Sequence, residues 1–262
     1  MGGGNLSLQV HPTKEYIKEQ FGMNYTQEES YYMLDAKEDA FVYLGINDAI
    51  NKEGMILDLK KSQSGGPVFN ANKYSKKWTA KKHDHFLIPP GTVHCSGAGC
   101  MILEISATPY IFTFKLWDWG RLGMDGKPRP INIEHGEKVI DWNSTPDWTK
   151  NNLINQFETI KVEKDWKEEK TGLHESEFIE TRRCWFRTKT THNTDNTVNV
   201  LMLIDGEEAI VESPTAAFEP FPINYAEAFI VPAQVGAYTI KPTGASIGKE
   251  IAILKAFVKD SK

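Results

Sequence analysis

Apolar and polar residues alternate over short runs through the first half of the chain, a pattern typical of half-buried β-strands. The runs of strand length are residues 6–11, 30–36, 40–44, 85–89, 100–106 and 110–116. Helical spacing over residues 13–21, where Thr13 is a suitable N-cap, predicts a short helix. Residues 47–61 and 133–140 also favour helices. Many short strands separated by Gly, Pro, Asn and Asp predict an antiparallel jelly-roll barrel.

The second half begins with a break in this pattern. Residues 121–175 contain a turn-rich connection and a strongly charged run at 158–171, for which an exposed helix and a strand with a loop both stay open. Strand-like runs return at residues 178–190, 197–205, 207–213, 228–232, 236–240 and 251–257. Asp205-Gly206 lies between two of these runs and predicts a β-hairpin turn.

These patterns predict a mainly β protein made of two barrels with a few short helices. We expect the first barrel over residues 1–122, a connecting segment over residues 123–175 and the second barrel over residues 176–262. A chain of 262 residues is long enough for two such units.

Composition narrows the classes of function. The net charge of -5 disfavours nucleic acid or an anionic membrane as the main partner. No apolar run approaches the length of a membrane span, and residues 1–5 lack the features of a signal peptide. Three cysteines do not make a disulfide framework and are typical of buried thiols in a reducing compartment. We therefore expect a cytoplasmic protein, with the oligomeric state open.

Four side chains capable of binding a metal stand out. Gln9 and His11 are two residues apart in a predicted strand, so both point to one face. Glu29 opens the next strand, and His94 follows a Pro-Gly turn. Two imidazoles, a carboxylate and an amide oxygen suit zinc or a similar divalent ion. On spacing alone, a metal site and a set of packed or surface residues both remain open.

Five motifs decide between these interpretations. They are Gln9-Val10-His11, Glu29-Ser30-Tyr31-Tyr32-Met33-Leu34, Pro89-Pro90-Gly91-Thr92-Val93-His94, Leu103-Glu104-Ile105 and Trp117-Asp118-Trp119-Gly120-Arg121. In this order they resemble segments of the class I mannose-6-phosphate isomerases, which are zinc enzymes of the cupin superfamily. The resemblance covers roughly residues 5–142, and residues 226–234 resemble the C-terminal cupin half of short bacterial members. Each motif is weak alone, whereas the ordered series is specific.

The resemblance implies two cupin barrels, of which the second lacks a metal site. It implies one zinc ion per chain, held by Gln9, His11, Glu29 and His94. Members of the family interconvert mannose 6-phosphate and fructose 6-phosphate, so the implied partner is a small sugar phosphate. Among the remaining residues, the resemblance implies that Glu104 handles protons and that Lys115 is the cation for an oxyanion or phosphate.

Departures from the family pattern favour a second hypothesis. Gln27 stands where family members commonly carry Lys, and Lys115 stands where they carry Arg, so bidentate contact with phosphate is lost. The family also has a long stretch before the Gln-x-His strand, which predicts that this sequence is either a fragment or a divergent short form. The alternative function is a catalytically weakened or inactive sugar-binding cupin. An iron dioxygenase is disfavoured, because Gln9 is a surplus ligand for two His and one carboxylate.

Three other polar residues have open or minor roles. Arg121 either contacts the substrate or pairs with Asp118, and the sequence favours neither. His174 and His192 lack partners at ligand spacing, so we predict that both lie at the surface.

Overall fold

The computed structural model describes residues 3–108, 110, 112–172 and 177–259. Its contacts divide the chain into two compact units, Met1–Asn155 and Gln156–Lys262. Antiparallel strands dominate both units, so the predicted mainly β fold is confirmed. The predicted domain boundaries stay a prediction. None of the helices in the described ranges is long and apolar enough to cross a membrane.

The first unit consists of two antiparallel sheets and several short helices. Its strands in the described residues are β1 (Leu8–Val10), β2 (Glu28–Ala36), β3 (Phe41–Ile46), β4 (Ser75–Thr79), β5 (His85–Ile88), β6 (His94–Ser96), β7 (Cys100–Ala107) and β8 (Phe114–Trp117). Its helices there are α1 (Lys14–Phe21), α2 (Lys52–Gln63), α3 (Ala71–Tyr74), α4 (Ile133–Val139) and α5 (Pro146–Leu153). One sheet has the order β4-β3-β6-β1-β8, and the other has the order β5-β2-β7.

The apolar side chains of the five-stranded sheet pack in two clusters. Leu8 and Val10 pack with residues of α2 and α4 in a cluster on the outer face. Gln9 lies between them in sequence and therefore points to the opposite, inner face. A second cluster includes Tyr31, Leu44, residues of β5 and Leu153 of α5. The alternation of β1 thus directs its one polar side chain toward the barrel interior.

The predicted helix boundaries are mostly confirmed. Thr13 caps α1 by accepting a hydrogen bond from the Tyr16 backbone N–H at 3.3 Å. The helix predicted over residues 47–61 begins later, at Lys52, after the N-cap Asn51. Helix α5 lies in the segment that the sequence pattern predicted only as a connection. Pro146 occupies its first turn, where a missing N–H costs no helical hydrogen bond.

The second unit also contains two antiparallel sheets. Its described strands are β9 (Glu158–Glu163), β10 (Trp166–Lys170), β11 (Ile179–Phe186), β12 (Thr190–Asn193), β13 (Asn199–Asp205), β14 (Glu208–Glu212), β15 (Phe221–Asn224), β16 (Ala228–Val231), β17 (Ala237–Pro242) and β18 (Ile251–Val258). The sheet orders are β16-β13-β18-β11-β10-β9 and β12-β17-β14-β15. Short 3₁₀ helices cover Ala233–Val235 and Gly244–Ser246. The charged run thus forms the strands β9 and β10.

The predicted hairpin at Asp205-Gly206 is wrong. Strand β13 pairs with β16 and β18, whereas β14 pairs with β15 and β17, so the turn joins two different sheets. Gly206 has φ +96°, as a tight turn requires, but the buried faces of the two strands belong to opposite layers. A turn motif fixes the local reversal of the chain without fixing which strands pair.

The prediction for His192 is also wrong. Its side chain is buried, stacks on Tyr238 with 5.4 Å between ring centroids and hydrogen-bonds through Nε2 to Thr190 Oγ1 at 2.9 Å. Burial, with the nearby charge of Lys255, lowers the pKa of His192 to about 3. His192 is therefore a neutral core residue. His174 lies outside the described residues.

Candidate metal centre

Three of the four predicted ligands come from different elements of the first unit. His11 follows β1, Glu29 is the second residue of β2, and His94 is the first residue of β6. Strand pairing places Gln9 directly opposite His94. The structure therefore brings together side chains that are far apart in sequence.

The turn before β6 aims His94 at the interior. The Thr92 backbone N–H donates to the Pro89 carbonyl at 3.1 Å, and Gly91 has φ +87°. Positive φ at the third position of such a turn favours glycine. A Cβ atom on Gly91 would also lie 3.0 Å from the Val139 carbonyl oxygen. The predicted Pro-Gly turn is confirmed, and its geometry requires the glycine.

The side chains of His11, Glu29 and His94 form a compact buried cluster. Glu29 Oε1 lies 3.0 Å from His94 Nε2 and 3.4 Å from His11 Nε2. One potential ligand atom from each residue lies within 4.8 Å of the others. Both imidazoles are fully buried, and Glu29 is 1% exposed. Among the described residues, this is the one group of three or more His, Cys, Asp or Glu side chains close enough to hold a metal.

Hydrogen bonds to backbone carbonyls fix the tautomers of both histidines. His11 Nδ1 donates to the Phe112 carbonyl at 2.9 Å, and His94 Nδ1 donates to the Thr92 carbonyl at 2.8 Å. A carbonyl only accepts, so each neutral ring carries its proton on Nδ1 and presents the lone pair of Nε2 to the cluster. Neither His11 Nε2 nor Glu29 Oε1 makes a hydrogen bond with any described residue. These buried, unsatisfied acceptors fit a divalent cation.

The electrostatics of the cluster agree with this fit. Burial lowers the pKa of His11, and a charge on His94 would lower it further, so His11 is neutral at pH 7. Burial by itself would raise the pKa of Glu29, whereas hydrogen bonds and charge from His11 and His94 outweigh this and lower it well below its ordinary value whenever the rings carry a proton on Nε2. Neutral imidazoles and an ionised carboxylate are the protonation states that bind metal.

Gln9 lies beside the cluster, and its amide contacts His94 on one side and Ser7 on the other. Its Nε2 atom is 3.2 Å from His94 Nε2, and its Oε1 atom accepts a hydrogen bond from Ser7 Oγ at 3.0 Å. In this orientation the amide nitrogen faces the cluster. Rotation of the amide by half a turn exchanges its oxygen and nitrogen, and the Ser7 hydroxyl can accept as well as donate. Gln9 can therefore present an oxygen to a bound cation.

Glu104 lies on the same face of its sheet as Glu29. Tyr31 pairs with Glu104, and Glu29 pairs with Ser106, so these four side chains point to one side of β2 and β7. Ser106 Oγ donates to Glu104 Oε1 at 2.9 Å. Partial burial, with the charge of Glu29, raises the pKa of Glu104. Glu104 is solvent-exposed, and so a carboxylate accessible from solvent stands next to the buried cluster.

Lys115 lies on the opposite sheet, in register with Gln9. A residue directly opposite shares the face of its partner, so the Lys115 side chain belongs to the inner face that carries Gln9 and His94. It is half-buried, and its ammonium group makes no hydrogen bond or ion pair within the described ranges. Lys115 therefore supplies a cation to the face that holds the cluster.

The Arg121 side chain pairs with Asp118 and with the backbone of Asn5. Its Nη1 atom lies 2.9 Å from Asp118 Oδ1, and its Nη2 atom donates to the Asn5 carbonyl at 2.7 Å. Arg129 Nη1 lies 3.5 Å from the other Asp118 oxygen. Of the two roles left open for Arg121, the structure supports the pairing with Asp118.

The sequence analysis did not predict that two further residues, Tyr31 and Gln27, contact the cluster. The Tyr31 ring meets His94 edge-on at 6.1 Å between centroids, and burial with the charges of Glu29 and Glu104 raises its pKa well above the ordinary value. Its spacing of two from Glu29 was the available signal. Gln27, regarded only as a lost cation, donates through Nε2 to Glu29 Oε2 at 2.8 Å.

The antiparallel sheets and the inward-facing His, Glu and His side chains define a cupin-type barrel with a cluster suited to a divalent metal. No protein-family model matches the chain. Among curated proteins it is similar to mannose-6-phosphate isomerase ManA of Bacillus subtilis (strain 168), with 29% identity over 143 residues, 55% of this chain and 42% of ManA. It is also similar to the "Probable mannose-6-phosphate isomerase GmuF" of the same organism, with 25% identity over 91% of this chain and 69% of GmuF.

The solved structures that the chain resembles include two mannose-6-phosphate isomerases. The mannose 6-phosphate isomerase from Bacillus subtilis has a TM-score of 0.76 and 19% identity, covering 97% of this chain and 71% of that one. A phosphomannose isomerase variant from Salmonella typhimurium has a TM-score of 0.67 and 10% identity, covering 98% of this chain and 76% of that one. At these identities the structural likeness shows the fold alone. The predicted resemblance to mannose-6-phosphate isomerases is confirmed, and the match to ManA spans less than half of its length.

Proposed function

We propose that this chain is a metal-dependent aldose–ketose isomerase that interconverts mannose 6-phosphate and fructose 6-phosphate or a related sugar phosphate. The observation that carries the proposal is the convergence of His11 Nε2, Glu29 Oε1 and His94 Nε2 in a buried cluster without hydrogen-bond donors for two of these atoms. The names of the sequence relatives, which are mannose-6-phosphate isomerases, supply the reaction.

Gln9, His11, Glu29 and His94 would hold the metal, with zinc as the proposed ion. Two nitrogen and two oxygen ligands suit zinc, which prefers four ligands in protein sites. When bound, the ion supplies Lewis-acid stabilisation for negative charge that develops on sugar oxygens. The residues around it exclude water from the ligand atoms, because both imidazoles and the Glu29 carboxylate are buried.

Glu104 is the proposed acid–base residue. The isomerisation removes a proton from C2 of the aldose, passes through an enediol, returns a proton to C1 and moves the hydroxyl proton of O2 to O1, with no oxidant or reductant required. Glu104 would accept the first proton and donate the second. Support comes from its place on the face of Glu29 and from its raised pKa, since a base works best when its pKa is near the working pH.

Lys115 is the proposed cation for the substrate phosphate or the developing oxyanion. Its register with Gln9 directs it to the inner face, and its ammonium has no partner within the described part of the chain. An ammonium contacts phosphate as a point charge rather than through a planar fork. We therefore expect weaker phosphate binding than an Arg at this position would give.

A coupled assay tests the proposal. Zinc-reconstituted protein is supplied with mannose 6-phosphate, and the fructose 6-phosphate formed is followed over time, with EDTA-treated protein as the control. Turnover that disappears with EDTA and returns with zinc supports the isomerase. The absence of turnover on any hexose or pentose phosphate, with about one metal bound per chain as four protein ligands require, contradicts it.

The alternative function is a sugar-binding cupin with weakened or no catalysis. Gln27 and Lys115 favour it, since Gln27 lacks the cation that family members commonly carry and Lys115 lacks the planar fork of their Arg. This alternative predicts affinity without turnover. Calorimetry with mannose 6-phosphate and with neutral sugars separates the two functions, because the alternative is rejected if no sugar binds.

We also place the protein in the cytoplasm. Cys95, Cys100 and Cys184 are free thiols, which is typical of a reducing compartment. Fractionation of cells that express a tagged protein would test this location.

A further inference from the structure

Gln27 makes a hydrogen bond at each end of its amide, and both lead to proposed metal ligands. It lies just before β2 and is 3% exposed. Its Nε2 atom donates to Glu29 Oε2 at 2.8 Å, and its Oε1 atom accepts from the Phe112 backbone N–H at 2.8 Å. A carboxylate only accepts and a backbone N–H only donates, so this orientation of the amide is fixed.

Phe112 extends the connection to a second ligand. Its carbonyl accepts the Nδ1 proton of His11 at 2.9 Å. The backbone of one residue therefore receives the His11 ring on its carbonyl and gives its N–H to Gln27. The resulting chain of contacts runs from His11 through Phe112 and Gln27 to Glu29, and it closes where Glu29 Oε1 faces His11 Nε2 at 3.4 Å.

We propose that Gln27 is a positioning residue that holds Glu29 directly and His11 through the Phe112 backbone, so that the two ligands are preorganised for a metal ion. This inference rests on the proposed metal site. Partners that orient ligands in this way typically contribute 10–100-fold to metal affinity.

The chemistry of the side chain explains why an amide occupies this position. A carboxamide donates and accepts in one plane, so it satisfies the carboxylate and the backbone N–H together. Lysine, the residue common in the family, donates to the carboxylate but cannot accept from Phe112. Compared with a lysine, Gln27 therefore lacks a charge but accepts a hydrogen bond from Phe112, which connects Glu29 to His11.

Cobalt binding tests the inference without an activity assay. Wild type, Gln27→Met and Gln27→Lys are titrated with Co²⁺ against a competing chelator, and the visible absorption of the bound ion is recorded. We expect Gln27→Met to lose roughly 10–100-fold in Co²⁺ affinity and to change the spectrum. Gln27→Lys should lose less, because it keeps the contact with Glu29.

Asn199→Leu is a control, because it removes a buried amide of the second unit that accepts from Tyr238 Oη at 2.8 Å. It should lower the melting temperature and leave Co²⁺ affinity unchanged. A Gln27→Met protein with wild-type Co²⁺ affinity and spectrum overturns the inference and leaves the proposed metal site standing. If Gln27→Met fails to fold, wild-type affinity and spectrum in Gln27→Lys overturn it instead. Wild-type protein that binds no Co²⁺ overturns the proposed metal site as well as the inference.

Discussion

Glu29→Gln should stabilise the metal-free protein and weaken metal binding at the same time. Glu29 is ionised and buried, and its Oε1 atom faces two imidazole nitrogens without a hydrogen bond from any described residue. In the variant, the new amide would keep its oxygen toward Gln27 Nε2. Its NH₂ group would then donate to His11 Nε2, which has no donor in the wild type.

The size of the effect follows from these contacts. One new hydrogen bond contributes about 1 kcal/mol. Removing a buried carboxylate charge adds to this, because imidazoles that present Nε2 lone pairs give Glu29 Oε1 no hydrogen bond to offset the cost of its burial. We expect the free energy of unfolding of the metal-free protein to rise by about 1–3 kcal/mol, which raises the melting temperature by roughly 2–4 °C per kcal/mol. Metal affinity should fall by more than the roughly 100-fold that losing an outer partner costs.

Thermal unfolding followed by circular dichroism, with EDTA and then with excess zinc, measures both quantities. Zinc should raise the melting temperature of wild type and leave that of Glu29→Gln almost unchanged, since a ligand stabilises only the state it binds. Glu19→Gln, which changes an exposed carboxylate of α1 outside the cluster, should change neither value and serves as the control. A Glu29→Gln protein that is less stable without metal and equally stabilised by zinc would refute the reasoning.

Substitutions at three further positions probe the rest of the site. Glu104→Gln should lower kcat by roughly 10²–10⁴-fold, and an unchanged kcat excludes Glu104 as the base. In the wild type, kcat/KM should fall as the pH drops through the raised pKa of Glu104, because the base is then protonated. Lys115→Met should raise KM for the sugar phosphate and Lys115→Arg should restore it, whereas equal KM values in steady-state assays argue against phosphate contact. Gly91→Ala should destabilise the fold by about 1–2 kcal/mol in urea unfolding, since φ is +87° and the new Cβ meets Val139.

Local patterns in the sequence determined most of the individual elements. The alternation around Gln9 predicted a strand with one polar face, and Thr13 predicted the start of α1. Pro90-Gly91 predicted the turn that precedes His94. These features depend on backbone preferences and side chains within a few residues, which the sequence states directly.

The partners of those elements were harder to predict. Asp205-Gly206 gave the turn correctly but not its strands, since pairing depends on which layer buries each face. His192 gave no sequence signal of burial, because its stacking partner Tyr238 is distant in the chain. Such outcomes depend on contacts that a local pattern does not contain.

The same division holds for the candidate site. The sequence determined which side chains are suited to a metal, because the residue types and the ordered motifs that contain His11, Glu29 and His94 are local features. Only the tertiary structure decided that their ligand atoms meet, which tautomers they adopt and that Gln27 connects them through Phe112. The physical reason is separation: Gln27 and Phe112 are 85 residues apart, and the pairing of β2 with β7, which sets Glu28 opposite Ala107, brings them together.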